Sequence, residues 1–374
     1  MKIKKALRVV AFLLILCLAL GYLFHCYNYP HKHDTRSLAA FADLDKNTVD
    51  GLVLGTSVIK YGFIPTVAYE QNGITVGQLG TSLQPFGATL PLIKYAQKRQ
   101  NIKYVVVDVH GLRTAAVKNS IVPAKIQNVY LNIPNYFEGQ QVLQGLLEYA
   151  ERAYEYYGKP EDEKLVVDRS DIAWYVPFVN FHSRWKDGLT KSDFRLKPTV
   201  RYIGAYDVKD RVFSSKDCSM YYDCWDYEPT EADVDDFQKN ELKILTDYLE
   251  EQNIKVLFIN MPSFRPVDEQ RENASLIEYC KSLGYDTIDF CTEEMIKETG
   301  IDPAADFLNR GHLNSAGSVK FTKYIASYLV SHGFTSDDHR GDGAHDYWDE
   351  QAKAYDAFYK KGWAEKGRTE EIKY

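Results

Sequence analysis

Five short apolar runs constrain this chain more than any other feature: 52–54, 74–76, 104–109, 256–259 and 287–290, each rich in β-branched residues and bounded by Gly, Asn or Asp. A strand with one wet face alternates apolar and polar residues. A run that stays apolar throughout reads as a strand buried on both faces. Helical spacing fills the gaps. Leu242, Leu245 and Leu249 share a face before the fourth run, and Phe321, Tyr324, Ile325, Tyr328 and Leu329 form a stripe that ends at Gly333, a residue suited to stopping a helix. This alternation predicts an α/β fold with a parallel sheet of about five strands, covered by helices on both faces in three layers. With 374 residues, 45% of them hydrophobic and 26% charged, the chain can bury a full core and is not disordered.

The N-terminus carries Lys2, Lys4, Lys5 and Arg8 ahead of an apolar run over 9–24, with no acid before Asp34. About 16–18 helical residues reach roughly 24–27 Å, enough to cross a bilayer. The basic flank should stay in the cytoplasm and place the rest outside the cell membrane. A cleaved signal peptide is the rival reading, but the nearest small-residue pattern, Ser37-Leu38-Ala39, lies well past the apolar run. Cys17 follows Leu16 and so lacks the small residue of a lipoprotein cleavage site.

The expected organisation is a cytoplasmic basic segment (1–8), a transmembrane anchor (9–27), a polar stalk (28–46), an α/β domain (47–335) and a charged aromatic tail (336–374). The tail should hold a helix over 348–361, stopped by Gly362. Within the domain, 112–234 breaks the rhythm. It is rich in Tyr, Trp, Asp and Lys, contains Asn180-Phe181-His182-Ser183-Arg184-Trp185, and reads as an insertion or lid. The net charge of −7, without a basic stripe, argues against a nucleic-acid partner. Cys218 and Cys224 are close enough in sequence to bridge in an oxidising exterior, whereas Cys280 and Cys291 read as core. No Cys/His pairs stand at zinc spacing. His339 and His345 lie near aspartates but read as parts of a solvated tail, so neither a metal nor a cofactor is expected.

Two segments can carry chemistry. The first strand runs into Gly55-Thr56-Ser57-Val58, which sets Ser57 at the carboxyl edge of the sheet, where open α/β folds bind ligands. A helix starting there would aim free N–H groups at a reacting oxygen, although a serine in this place can also be a simple helix cap. Near the other end, Asp306-Phe307-Leu308-Asn309-Arg310-Gly311-His312-Leu313-Asn314 precedes the last core helix. A histidine in that loop can face the same edge and take a serine proton.

These blocks, in this order, resemble the SGNH/GDSL hydrolase superfamily across about residues 48–332. Gly55-Thr56-Ser57-Val58 is similar to its first block, Gly80 in Gly77-Gln78-Leu79-Gly80-Thr81-Ser82 to the second-block glycine, and the His312 segment to the fifth. Gln84-Pro85, His182-Ser183-Arg184-Trp185, Asn260-Met261-Pro262 and His312-Leu313-Asn314 look like the membrane-anchored Gram-positive branch, akin to D-alanine-transfer proteins of lipoteichoic acid and alginate O-acetylation proteins. The resemblance implies a flavodoxin-like three-layer fold. Ser57 would be nucleophile and His312 base, with the N–H groups of Ser57 and Gly80 holding the oxyanion. Gln84, His110, His182 and Arg184 are candidate substrate contacts. Two departures stand out. Asn309 occupies the family's triad-Asp position, which makes Asp306 the alternative acid, and Asp108-Val109-His110-Gly111 replaces the third block's Gly-x-Asn-Asp.

The implied activity is a serine esterase or O-acyltransferase acting on acyl groups of a cell-surface glycopolymer. The alternative is a catalytically degraded SGNH module that binds the polymer or assists a membrane O-acyltransferase.

Overall fold

Every expected strand forms, and all five join one parallel sheet. The structure, a computed structural model, describes residues 2–28, 36–176 and 233–365. The strands are β1 (Gly51–Leu54), β2 (Val76–Gln78), β3 (Tyr104–Asp108), β4 (Lys255–Asn260) and β5 (Asp286–Asp289), in the order β2-β1-β3-β4-β5. In register, Leu52 faces Gly77 on one side and Val105 on the other, and Val105 faces Val256. This doubly wound order reverses direction at β1, so the crevice between the carboxyl ends of β1 and β3 is the natural ligand site.

Alternate strand residues sort into two cores. Leu52, Leu54, Val105, Val107, Val256 and Phe258 point to one face. It is covered by α5 (Thr89–Gln97), α8 (Tyr136–Tyr157), α9 (Asp236–Glu251) and α10 (Val267–Ser282). Val53, Tyr104, Val106, Leu257 and Ile259 point to the other, covered by α3 (Ser57–Gly62), α4 (Pro65–Asn72), α11 (Glu293–Thr299) and α12 (Ser315–Ser331). The α9 stripe Leu242, Leu245 and Leu249 is buried as expected. α12 ends ahead of Gly333, whose φ of 71° takes the left-handed turn.

Three boundaries differ from the sequence reading. The polar stalk over 28–46 ends early, because α2 (Arg36–Ala42) inserts Leu38 and Phe41 fully into the core. The insertion over 112–234 is not set apart from the core where it is described. After α6 (Thr114–Ser120) and α7 (Pro123–Tyr130), α8 buries Leu143, Leu146, Leu147 and Ala150 against the sheet-side core. The remainder of that insertion, with His182, Arg184, Cys218 and Cys224, lies outside the described residues. The tail is not a solvated appendage. Its helix α13 (Asp346–Glu365) starts before residue 348, where Trp348 is buried, and runs through Gly362, whose helix penalty is only about 1 kcal/mol. The Trp348 ring lies 5.6 Å from that of Tyr69 in α4, and the Tyr69 hydroxyl donates to Asp349 Oδ1 at 2.9 Å.

The N-terminal helix α1 (Lys2–Asn28) contains a 20-residue stretch, Lys4–Leu23, long and apolar enough to cross a membrane, with every residue of it exposed. Such a helix also fits a signal sequence.

Candidate active site

Ser57 opens α3 directly after β1, with Thr56 at the N-cap making no side-chain capping bond. The Ile59 and Lys60 amides donate to the Thr56 carbonyl, which leaves the Ser57 and Val58 amides at the start of the helix without a backbone acceptor among the described residues. Gly55 permits this tight passage. A Cβ there would lie 2.7 Å from Ile59 Cγ1 and 2.8 Å from Asp108 Cβ, so only glycine lets the end of β3 approach the turn. Gly80, after β2, packs on the same turn: a Cβ would come within 3.0 Å of the Lys60 nitrogen and 3.2 Å of the Thr56 carbonyl oxygen. Gly80 thus lies against the turn that Ser57 opens.

His312 arrives from the other end of the chain on a short antiparallel hairpin, β6 (Phe307–Asn309) with β7 (His312–Leu313), rather than on a plain loop. Asn314 anchors it. Its side chain caps α12 by accepting from Ala316 and Gly317, and its amide donates to the Ala305 carbonyl at 2.7 Å. The Ser57 hydroxyl lies 2.8 Å from His312 Nε2, and His312 Nδ1 lies 2.8 Å from Asn309 Oδ1. Asn309 Oδ1 also accepts from the Gly311 amide at 2.9 Å. An amide oxygen only accepts, so Nδ1 carries the imidazole proton and the Nε2 lone pair faces the Ser57 hydroxyl. That is the tautomer a general base needs.

The alternative acid, Asp306, is not part of this relay. It is buried, and its Oδ2 accepts from the Asp302 amide and from Lys320 Nζ, both at 2.7 Å. Its role is to close the turn ahead of the hairpin and tie it to α12. His110 is also a structural group. It is 4% exposed, accepts at Nε2 from Arg113 Nη2 at 3.1 Å, and faces Asn273 with its other nitrogen. Burial, followed by the charges of Arg113 and Arg265, holds its pKa well below the usual histidine range. Gln84 is buried beside the site, with its carbonyl near Gly111, and neither amide atom has a hydrogen-bond partner among the described residues. Leu83 before it holds φ at 52°, a conformation that a leucine adopts at a cost of about 1–2 kcal/mol.

Several neighbours were not singled out in the sequence. The Arg265 guanidinium packs on the hairpin turn, 3.0 Å from where a Cβ on Gly311 would stand. Arg113 pairs with Glu269, and the same carboxylate lies 3.7 Å from Arg265, so two guanidiniums share one anion. Tyr61 sets its ring edge-on to His312, with centroids 5.1 Å apart. Desolvation, then Arg265 and Lys60, lowers the His312 pKa to about 4. Asp108, at the end of β3, accepts from the Met261 amide, and burial pushes its carboxyl up to about 7. Position alone could have flagged Arg265, since it follows the carboxyl end of β4 in Met261-Pro262-Ser263-Phe264-Arg265. Arg113 and Lys60 carry no such signal.

The arrangement can deprotonate a serine hydroxyl with a neutral imidazole at a helix start, within a cationic surround. No family model, curated protein or solved structure matches the chain.

Proposed function

We propose that the chain is an extracytoplasmic serine esterase or O-acyltransferase of the SGNH/GDSL type, anchored by α1 and acting on acyl groups of a cell-surface glycopolymer. The observation that carries this reading is the relay Ser57 Oγ–His312 Nε2, His312 Nδ1–Asn309 Oδ1, each step 2.8 Å. Ser57 attacks the ester carbonyl while His312 takes its proton. The tetrahedral oxyanion sits against the Ser57 and Gly80 amides, and collapse transfers the acyl group to Ser57 as the alcohol leaves with the proton from His312. Water or a sugar hydroxyl then takes the acyl group by the reverse sequence. The pair of arginines sharing Glu269 favours a substrate with anionic groups near the ester.

Asn309 favours a second reading, a degraded module that binds the polymer or assists a membrane O-acyltransferase, since an amide does not stabilise imidazolium by charge. The separating experiment exposes the full chain in detergent to a fluorophosphonate probe and an aryl acetate, beside Ser57→Ala and His312→Ala. The enzyme reading expects labelling that both substitutions abolish, with turnover falling by about 10³-fold or more. Wild-type protein that neither labels nor turns over ester sinks that reading in favour of the second.

A further inference from the structure

The chain enters the domain on the same edge of the sheet as Ser57. The Ser37 hydroxyl, at the start of α2, donates to the Gly80 carbonyl at 3.2 Å, just past the carboxyl end of β2. One turn later the Phe41 ring packs on Gly77 within the strand, where a Cβ would lie 2.7 Å from the ring. α2 therefore runs down β2, and the residues after it return to open β1 at the amino edge. Gly80 in turn packs on the Thr56 carbonyl and the Lys60 nitrogen. The point of entry is thus joined to the nucleophile turn through Gly80 alone.

Chain length then limits where that edge can stand. Only residues 29–35 separate the end of α1 at Asn28 from Arg36. The steps from Asn28 to Arg36, at about 3.3–3.6 Å each, reach at most roughly 29 Å. The helical residues between Leu23, where the apolar stretch ends, and Asn28 add about 7.5 Å. Arg36 is thereby kept within roughly 37 Å of the apolar span. A folded unit of about 300 residues is roughly 50 Å across. A domain standing with its carboxyl edge away from the bilayer would need a longer tether than the chain has.

The same edge displays groups suited to a lipid boundary. Leu83, in the loop that follows Gly80, is 43% exposed on a backbone whose φ is 52°. Strain that shows an apolar side chain to water gains nothing until an apolar phase covers it. On the other side of the crevice, Arg310 is exposed at the tip of the His312 hairpin, and its carbonyl accepts from the Phe264 amide beyond β4. Tyr61 is half-buried beside His312. A leucine tip, a phenol and a guanidinium are side chains that settle at the headgroup level. We propose that this rim docks on the outer face of the bilayer that α1 crosses, and that Ser57 takes its acyl group from an ester on a lipid-linked molecule. The docking rests on the anchor of the proposed function, and the substrate on its Ser57–His312 chemistry. In the transfer the ester C–O bond breaks, the acyl bond to Ser57 Oγ forms, and the alcohol stays on the lipid with the proton from His312.

The test places the full chain in vesicles of phosphatidylglycerol and phosphatidylcholine. Leu83→Trp should add fluorescence, over that of the native tryptophans, which lipids brominated on their acyl chains quench. Leu283→Trp, between α10 and the amino end of β5 and 49% exposed, should escape quenching. A vesicle-borne lipid ester and a soluble aryl acetate are then compared. Leu83→Asp combined with Arg310→Glu should lower the ratio of their kcat/KM values by about tenfold or more. An unquenched Leu83→Trp overturns the docking, as does equal quenching at both positions or a mature protein that lacks α1. A ratio that the double substitution leaves unmoved overturns the lipid-linked substrate. Wild type that turns over neither ester sinks the esterase reading instead, and the quenching comparison still decides the docking.

Discussion

Asn309 does half of what an aspartate would do in its place. Its oxygen orients His312 and fixes the tautomer, as the 2.8 Å contact requires, but it brings no charge to oppose the imidazolium that the proposed attack would form. The surround works in the same direction, since Arg265 and Lys60 help hold the His312 pKa at about 4. The base is therefore neutral at every pH above about 5, and kcat/KM for a neutral ester should rise through pH 4 and stay level above it. Asn309→Asp should move that rising limb upward, towards the ordinary histidine value, and raise kcat/KM at pH 7–8 by about tenfold or more. A pH–rate profile of the variant that overlays wild type would show that this residue's charge is irrelevant. Ser57, His312, Gly80 and Asn309 were all legible as residues, because short blocks in a fixed order carry them. Asp306 was misassigned since sequence distance from His312 says nothing about where a carboxylate points, and Lys320 and the Asp302 amide claim it.

Among the elements, strands were the most readable. Four of the five are short and buried on both sides, while the edge strand β5, Asp286–Asp289, buries only Ile288 fully, and that signature survives in a single sequence. The His312 hairpin was not readable, because two- and three-residue strands have no periodicity to detect. The C-terminal helix was misjudged for a different reason. Its composition is charged, and a few apolar residues in a polar sequence give little warning of docking. Trp348 is 1% exposed, against Tyr69. Trp348→Ala should therefore destabilise the whole domain by about 3–5 kcal/mol, as a buried ring does, measured by chemical unfolding followed from the sheet core. A loss below about 0.5 kcal/mol, the range of ordinary surface substitutions, would return this helix to the status of an appendage.

At the scale of the molecule, buried ionisable groups pull stability in opposite directions. The pKa of Asp108 is about 7 in the fold and that of Asp289 about 6, both raised chiefly by burial above the ordinary carboxylate value of 3.8. Between pH 4 and 7 the native state holds more of these protons than the unfolded chain, so their contribution falls as pH rises. His312 and His110 are lowered. The unfolded chain holds their protons up to about pH 6.5, so stability rises with pH from about 4 to 6.5. The two slopes oppose one another and flatten the wild-type curve. Asp108→Asn removes one of them. Relative to wild type, its unfolding free energy should increase between pH 4 and pH 8 by on the order of a few kcal/mol, read from urea melts at both pH values. Parallel curves would mean that Asp108 does not titrate in this window.

Local pattern by itself pointed to the strand set, the Ser57 and His312 segments and the apolar N-terminal helix, because hydrophobic periodicity and short motifs are properties of neighbouring residues. Strand order, and the meeting of Ser57 and His312 across 255 positions, follow from how the layers close. Only the tertiary structure decided which carboxylate each cation takes, that the tail packs on α4, and that His339 and His345 stack beside Asp342. Those outcomes depend on burial and on competition among distant partners. A charge is worth little in water and much more once the fold removes the water around it, and no linear spacing encodes that.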